Sequence, residues 1–205
     1  FRTGDVGAEE LLTRALSFFD ARGRGFSVWV RVGVLDDDDL ADAALAVGLK
    51  PVFEMPEMVL ERRGEERPLP PGVELPRVES AADASRFWQI ATSAYADNGF
   101  PPEIFNFYED HSGLVADNAA TFLAELDGKP VGIAMTIVSH GVAGVYWVGT
   151  LAEARGRGIG EAVTTAAVNA GLDLGGEIVS LQASPMGEPV YRRMGFETVY
   201  RYRLL

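Results

Sequence analysis

A glycine-rich segment between an apparent strand and an apparent helix constrains this chain most. Residues Arg155-Gly156-Arg157-Gly158-Ile159-Gly160 follow the strand-like run 142–150 and lead into apolar residues at helical spacing. Glycine permits positive φ and lets backbone N–H groups converge, and the first turn of a helix leaves amide donors unpaired. These donors also carry the partial positive charge of the helix dipole, so the segment is predicted to bind an anion such as a pyrophosphate.

Two common phosphate loops are excluded by spacing. A Walker loop requires Gly-Lys followed by Ser or Thr, whereas Glu161 follows Gly160. The dinucleotide fingerprint G-x-G-x-x-G also fails, because Glu161 and Val163 stand where its last glycine is needed. The pattern that remains is Arg-x-x-Gly-x-Gly. Taken alone, it is also compatible with an ordinary glycine-rich turn between a strand and a helix.

That pattern resembles motif A of the GCN5-related N-acetyltransferases, the GNAT superfamily, whose loop binds the diphosphate of acetyl-CoA. A second segment, residues 181–196, ends in Tyr191-x-x-x-Gly195-Phe196 and is similar to motif B of the same family. The motifs occur in family order, and the resemblance covers roughly residues 73–205. It implies the α/β (α+β) GNAT fold, a mixed, mostly antiparallel sheet flanked by helices.

The chain is predicted to contain a linker at residues 64–72, where charged residues and prolines occur without an apolar period. The linker separates residues 1–63 from a catalytic domain at 73–205. The N-terminal part has helical stripes, a strand-like run and a Gly48-to-Phe53 spacing that matches Gly195 to Tyr200. We therefore expect a degenerate GNAT-like half-repeat without motif A, an unrelated α/β extension being the alternative.

Periodicity and turn residues predict the elements of the catalytic domain. A capping box at Ser80 and Asp83 opens a helix, and Gly171 is expected to end another. The predicted strands lie at 73–78, 121–126, 131–139, 142–150, 178–183 and 197–205, and further helices at 159–170, at 189–194 and through Ile104, Phe105 and Tyr108. The strand, helix, strand order at 142–183 implies a parallel pair.

Composition limits the partners and the compartment. The formal charge of −12 argues against nucleic acids and anionic membranes. The chain has no cysteine, and His111 and His140 lack metal-ligand spacing, so no metal site is expected. Apolar runs such as 131–138 are shorter than the roughly 20 residues of a membrane span, and no signal-peptide pattern opens the chain, so a cytoplasmic protein is expected. The start at Phe1 suggests a missing beginning.

The resemblance also implies roles for particular residues. Backbone groups of Val148, Gly149 and Thr150 are expected to pair with pantetheine where two strands splay beside a bulge, and the Val148 amide to polarise the thioester carbonyl. Ser184 stands where many family members have asparagine, so a hydroxyl replaces an amide at that cofactor contact. Tyr191 matches the family tyrosine that protonates the departing thiolate, a core aromatic being the alternative. The cofactor-binding loop comprises Arg155, Gly156, Arg157, Gly158, Ile159 and Gly160.

The general base and the acceptor remain open. Many family members use a glutamate on the strand corresponding to 142–150, but this strand has no carboxylate. Tyr146, His140, His111 and Glu188 are candidates, and none is assigned. The acceptor is expected near an aromatic stretch, although these aromatic residues could instead belong to the core. Acidic neighbours of the stretch are expected to attract a cationic amine, although they could instead form a solvated face. These residues are Tyr95, Phe100, Phe105, Phe107 and Tyr108, with Asp97, Glu103, Glu109 and Asp110.

The resemblance therefore implies an acetyl-CoA-dependent N-acetyltransferase that acts by direct transfer on a primary amine of a small molecule or peptide. Acetyl-CoA is then a donor substrate, and one CoA is expected per chain, because no counterpart of motif A precedes the first N-terminal helix. The alternative is a non-catalytic module that binds acyl-CoA for regulation.

Overall fold

The computed structural model describes residues 6–96 and 112–205, which form two compact units. The larger unit contains Met58–Gln182 and Met186–Glu197, and the smaller contains Phe1–Glu57, Ala183–Pro185 and Thr198–Leu205. The described helices are α1 Ala8–Asp20, α2 Leu35–Ala46, α3 Ala81–Ala96, α4 Ile159–Asp173 and α5 Glu188–Met194. The described strands are β1 Trp29–Arg31, β2 Phe53–Leu60, β3 Val73–Glu74, β4 Ala119–Leu126, β5 Lys129–Ser139, β6 Val142–Thr150, β7 Ile178–Gln182 and β8 Glu197–Leu204.

The larger unit contains a sheet with the strand order β7-β6-β5-β4-β3. Its pairs are antiparallel except for β6 and β7, which are parallel because α4 connects them as a crossover. The turns between β4, β5 and β6 place Asp127 and Gly128, and then His140 and Gly141, at positive φ, as tight hairpin turns require. The predicted mixed, mostly antiparallel sheet flanked by helices is confirmed.

Helix α3 begins at the predicted capping box. The Asp83 backbone N–H donates to Ser80 Oγ at 3.1 Å, and the Ser80 hydroxyl donates to Asp83 Oδ2 at 2.6 Å. One face of the helix is buried against the sheet, and this face includes Phe87, Ile90, Ala91 and Ala94. The hydroxyl contact satisfies an amide donor at the helix start, so sequence alone locates this end of α3.

Helix α4 does not end at Gly171, as the sequence predicted, but continues to Asp173. A Cβ at Gly171 would lie 2.7 Å from Ala143 Cβ and 2.7 Å from Thr136 Oγ1, which is shorter than real contacts allow. Glycine is therefore needed there for close packing of the helix on β5 and β6. The first predicted strand is also shorter than expected, since β3 spans only Val73–Glu74, followed by an isolated bridge from Arg77 to Phe122.

The predicted linker has no regular secondary structure, and its first part follows the surface of α4 within the larger unit. We call residues 63–70 the strap. Arg63 pairs with Asp173, Gly64 hydrogen-bonds with Asn169, and Arg67 pairs with Glu161, so the strap runs antiparallel to the helix. The strap is thus a docked segment, although its sequence is typical of a flexible connection.

The smaller unit packs α1 and α2 around a core that includes Leu12, Val30, Ala44 and Leu205. Strand β1 pairs antiparallel with β8, where Val30 faces Arg203. The aspartate run at 36–39 does not precede α2 as a capping segment, because the helix begins at Leu35. Asp37 instead accepts hydrogen bonds from the Arg31 backbone N–H at 2.9 Å and from its guanidinium at 2.8 Å.

After α2 the chain forms the single strand β2, which spans Phe53–Leu60. The half-repeat itself stays a prediction. Within residues 6–96 and 112–205, every helix is too short or too polar to cross a lipid bilayer.

Candidate active site

Strands β6 and β7 separate at their carboxyl ends. Their parallel pairing covers Val142 with Ile178, Ala143 with Val179 and Gly144 with Ser180, and it ends there. The part of β6 from Tyr146 to Thr150 therefore lies beyond its pairing with β7. We call this separation the splay. It leaves backbone groups of β6 available to a ligand that lies along the strand.

A β-bulge lies in β6 beside the splay. The register with β5 shifts between Met135, which faces Tyr146, and Ile133, which faces Gly149, so Trp147 and Val148 together oppose one residue. Trp147 has a φ of 52°, a strained value for a bulky residue. The family resemblance predicts a bulge beside Val148, and the positive φ identifies Trp147 as the residue that forms it.

Aromatic side chains of α3 hold the bulge in place. The Trp147 ring makes edge contacts with Trp88 and Tyr95, with ring centroids 5.4 and 5.3 Å apart. A Cβ at Gly149 would lie 3.0 Å from Ala94 Cβ, so α3 approaches β6 too closely for a larger residue without displacement. Tyr95, predicted only as part of an aromatic stretch, thus contacts the bulged strand directly.

The glycine segment forms the entrance to α4. Gly156 and Gly158 have φ values of 75° and 78°, and Gly158 is the N-cap residue, with no side chain capping the helix. The Arg155 Nε donates to the Thr150 carbonyl at 3.0 Å, which ties the loop to the end of β6. The loop residues Arg155, Gly156, Arg157 and Gly158 are exposed, whereas Ile159 is buried and anchors the first turn.

This geometry fits a pyrophosphate. Positive-φ glycines precede an uncapped helix start, so the first amides of α4 are not satisfied by a capping side chain. A Cβ at Gly160 would lie 3.5 Å from Thr150 Oγ1, so the first turn is packed next to the end of β6. The predicted residues Val148, Gly149, Thr150 and the loop 155–160 therefore lie in one continuous region of the larger unit.

Tyr191 lies on α5, which ends where Gly195 adopts a φ of 94°. Only 7% of the residue is exposed, and its ring is 5.8 Å from that of Phe196. Burial raises the pKa of the Tyr191 phenol, because the charged phenolate is poorly solvated there. Burial also raises the pKa of Tyr95, and the nearby Tyr191 adds to that shift. Tyr95, which contacts the bulged strand through Trp147, is therefore close enough to Tyr191 for the two phenols to interact electrostatically.

Ser184 belongs to the smaller unit, just beyond the end of β7. It is half-buried. Its contact with a cofactor stays a prediction.

The candidates for the general base have different positions. His140 lies in the turn before β6, about 26 Å from Val148 along the strand at about 3.3 Å per residue, which is too far for proton transfer. Glu188 pairs with Arg192 at 2.7 Å one turn before Tyr191, and Tyr146 is half-exposed beside the bulge.

Several predicted residues lie outside the described residues, namely Asp97, Phe100, Glu103, Ile104, Phe105, Phe107, Tyr108, Glu109, Asp110 and His111.

Comparison with known proteins gives a family match over this region. A family model described as an acetyltransferase (GNAT) domain matches residues 60–188, which is more than half of the chain. The mycothiol acetyltransferase of Pseudarthrobacter chlorophenolicus is 30% identical over 208 residues, which cover 93% of this chain and 62% of that protein. The chain therefore spans less than two thirds of that relative's length.

Solved structures share the fold. A GCN5-related N-acetyltransferase from Kribbella flavida has a TM-score of 0.76 and 24% identity, covering 96% of this chain and 75% of that one. An acetyltransferase from Clostridium acetobutylicum, solved with acetyl-CoA, has a TM-score of 0.53 and 18% identity, covering 62% of this chain and 91% of that one. At these identities the structures support the fold alone.

Proposed function

The chain belongs to the GNAT acetyltransferase family, and from this premise we propose that it transfers the acetyl group of acetyl-CoA directly to a primary amine. One observation carries the proposal: a bulged and splayed β6 leads within a few residues into the uncapped start of α4. The splayed strand offers backbone groups that can pair with an extended amide-containing arm. The uncapped helix start offers amides that can bind a diphosphate. Acetyl-CoA contains both.

The donor is proposed to bind through backbone groups. The amides after Gly158 bind the pyrophosphate, with Arg155 and Arg157 supplying positive charge next to it. Val148, Gly149 and Thr150 pair with the pantetheine arm, and the Val148 amide polarises the thioester carbonyl. Ser184 is proposed as a further cofactor contact. A fixed donor directed at a developing oxyanion contributes roughly 3 kcal/mol in comparable sites.

The amine nitrogen attacks the thioester carbon, and the C–N bond forms as the C–S bond breaks. The thiolate leaves with the bonding electron pair, and the proton lost by the amine finally balances the proton gained by the sulfur. Tyr191 is protonated at neutral pH, since the ordinary pKa of a phenol is about 10 and burial raises it further. The phenol donates its hydrogen bond and proton to the thiolate and is reprotonated from the amine side.

The acceptor is proposed to be a small molecule, with a peptide amine as the alternative. The name of the Pseudarthrobacter relative links that protein to mycothiol, which favours a small molecule over a protein surface. Because this chain spans only 62% of that relative's length, a small-molecule acceptor is proposed for it and is not transferred from the relative's name. Turnover with a panel of small amines and peptides measures it directly.

A non-catalytic acyl-CoA-binding module is the second candidate. The observation in its favour is that β6 contains no carboxylate, although it lies beside the proposed reaction centre. Loss of turnover with retained CoA binding is expected of such a module. An acetyl-CoA assay across amine classes therefore separates the two candidates, provided that CoA binding is measured on the same sample.

The loop is tested by two substitutions at Gly158 that differ only in charge. Gly158→Asn and Gly158→Asp have the same shape, and both residue types tolerate positive φ better than most. A Cβ at Gly158 lies 3.6 Å from Pro70 Cγ, an ordinary contact, and the strain of a side chain at a φ of 78° is common to both variants. Calorimetry should show one CoA site per chain, binding at least ~10-fold weaker in Gly158→Asp, and a change within ~3-fold in Gly158→Asn.

Equal affinities in the two variants would show that the loop does not bind the pyrophosphate. Circular dichroism controls for folding, since both variants impose the same backbone strain on the start of α4. Two equivalent CoA sites per chain would contradict the assignment of a single phosphate loop.

A further inference from the structure

Arg67, a residue of the strap, places its positively charged side chain next to the first turn of α4. Arg67 Nη1 donates to Glu161 Oε1 at 3.0 Å, and its Nη2 donates to Glu65 Oε2 at 2.8 Å. Glu161 lies in the first turn of α4, the turn whose amides are proposed to bind the pyrophosphate. Pro70 continues the strap to Gly158, where its Cγ would be 3.6 Å from an added Cβ.

The carboxylate of Glu161 has two opposing effects. A negative charge in the first turn of a helix interacts favourably with the helix dipole. The same charge repels a pyrophosphate that binds to the first amides of that turn. Glu161 is partly shielded, with 30% of its side chain exposed, so solvent screens this repulsion only in part.

We propose that Arg67 is a positioning residue for CoA, which acts through Glu161 by offsetting its charge beside the phosphate loop. This inference rests on the proposed function of the loop. Arg67 also pairs with Glu65, and its removal leaves Glu161 without this ion pair in the first turn of α4. The chain thus places a compensating charge on a segment outside the glycine motif.

Arg63 provides a matched control at the other end of the strap. Arg63 Nη1 donates to Asp173 Oδ1 at 2.7 Å, so it also ties the strap to α4 through an exposed ion pair. Asp173 is twelve residues after Glu161 on the helix, a distance of about 18 Å at 1.5 Å per residue. Arg63→Ala therefore also removes an ion pair between the strap and α4 but leaves the charges near the phosphate loop unchanged.

The experiment measures CoA affinity by calorimetry for Arg67→Ala, Arg63→Ala, Glu161→Gln and the double variant Arg67→Ala with Glu161→Gln. At low salt we expect roughly 3- to 10-fold weaker binding in Arg67→Ala and less than about 2-fold change in Arg63→Ala. In the Glu161→Gln background, Arg67→Ala should change affinity by at most about 2-fold. Arg67→Lys should restore most of the loss, and about 0.5 M salt should reduce it.

Three results would overturn the proposal. An equal loss in Arg63→Ala and Arg67→Ala would mean that the strap acts only by stiffening the helix. A full loss that persists in the Glu161→Gln background would mean that Arg67 binds the phosphate directly. No loss in Arg67→Ala would mean that Glu161 needs no compensation.

The proposed function is checked separately with the unsubstituted protein and Gly158→Asp. If the unsubstituted protein binds CoA and Gly158→Asp does not, the loop assignment holds whatever Arg67 does. If the unsubstituted protein does not bind CoA, the proposed function fails, and the inference fails with it. Thermal unfolding of Arg63→Ala and Arg67→Ala shows whether the two variants loosen the strap equally.

Discussion

Asn169 joins the strap to α4 through buried hydrogen bonds. Its Oδ1 accepts from the Gly64 backbone N–H at 2.9 Å, and its Nδ2 donates to the Gly64 carbonyl at 3.4 Å and to Glu66 Oε1 at 3.3 Å. Only 7% of Asn169 is exposed. Asn169→Ala removes these bonds together and leaves the Gly64 N–H buried without its acceptor.

The magnitude follows from this geometry. The short bond to Gly64 N–H contributes about 1 kcal/mol net, and leaving its donor unsatisfied costs about 1–3 kcal/mol. The bonds at 3.3 and 3.4 Å are long and add little. Because the unsatisfied donor sets the cost, we expect Asn169→Ala to lower the free energy of unfolding by about 1–3 kcal/mol, or the Tm by roughly 2–12 °C for a chain of this length.

Urea unfolding followed by tryptophan fluorescence measures the change. Trp88 and Trp147 lie in the larger unit, and Trp29 in the smaller, so a Trp29→Phe background restricts the signal to the unit that contains the strap. Arg63→Ala is the control, because an exposed ion pair is worth about 0–1 kcal/mol. Gly64→Ala provides a second perturbation, since its Cβ would lie 3.0 Å from Thr165 Cγ2.

If Asn169→Ala were no more destabilising than Arg63→Ala, the hydrogen bonds would not hold the strap, and the docked arrangement would be wrong. A loss well above 4 kcal/mol would also contradict the reasoning, because such values require removal of more than one buried hydrogen-bond pair.

Two further predictions concern Tyr191. Tyr191→Phe retains the ring and removes only the hydroxyl, so kcat should fall by ~10² or more with little change in CoA affinity. Steady-state kinetics and calorimetry measure the two quantities. If kcat stayed within a few-fold of the parent while chemistry was rate-limiting, the role of Tyr191 would be structural. Burial raises the pKa of Tyr191 and Tyr95, so both favour the folded state below pH ~10, and this stability is lost as the pH rises further, by up to about 1.4 kcal/mol per pH unit for each phenol. Denaturant unfolding between pH 8 and 11 should show a shallower decline in Tyr191→Phe, and an identical decline would contradict the burial of its hydroxyl.

The local sequence pattern was sufficient to predict an element wherever a few neighbouring residues determine the backbone conformation. Strand β6 has the predicted bounds Val142–Thr150, and α4 begins at the predicted glycine segment. The Ser80 and Asp83 box also formed as expected, because side-chain capping acts within about four residues. The site loop could therefore be located from sequence alone.

Register and close packing could not be predicted in the same way. The bulge at Trp147 is defined only by the register of β6 against β5. Gly171 lies inside a helix and does not end it, and glycine is needed there because Thr136 and Ala143 pack against this position. A glycine near the end of a helical pattern is equally typical of a C-cap and of a close contact. Sequence spacing does not distinguish these cases, since the deciding atoms belong to other strands.

The sequence by itself determined the glycine loop, the strand before it and the tyrosine of the second motif, because each depends on short-range backbone preferences. Only the tertiary structure decided that Tyr95 packs against Trp147, and that the strap docks on α4 through Asn169. These partners are far apart in the chain. Their contacts depend on burial and charge in the folded protein, which no local pattern encodes.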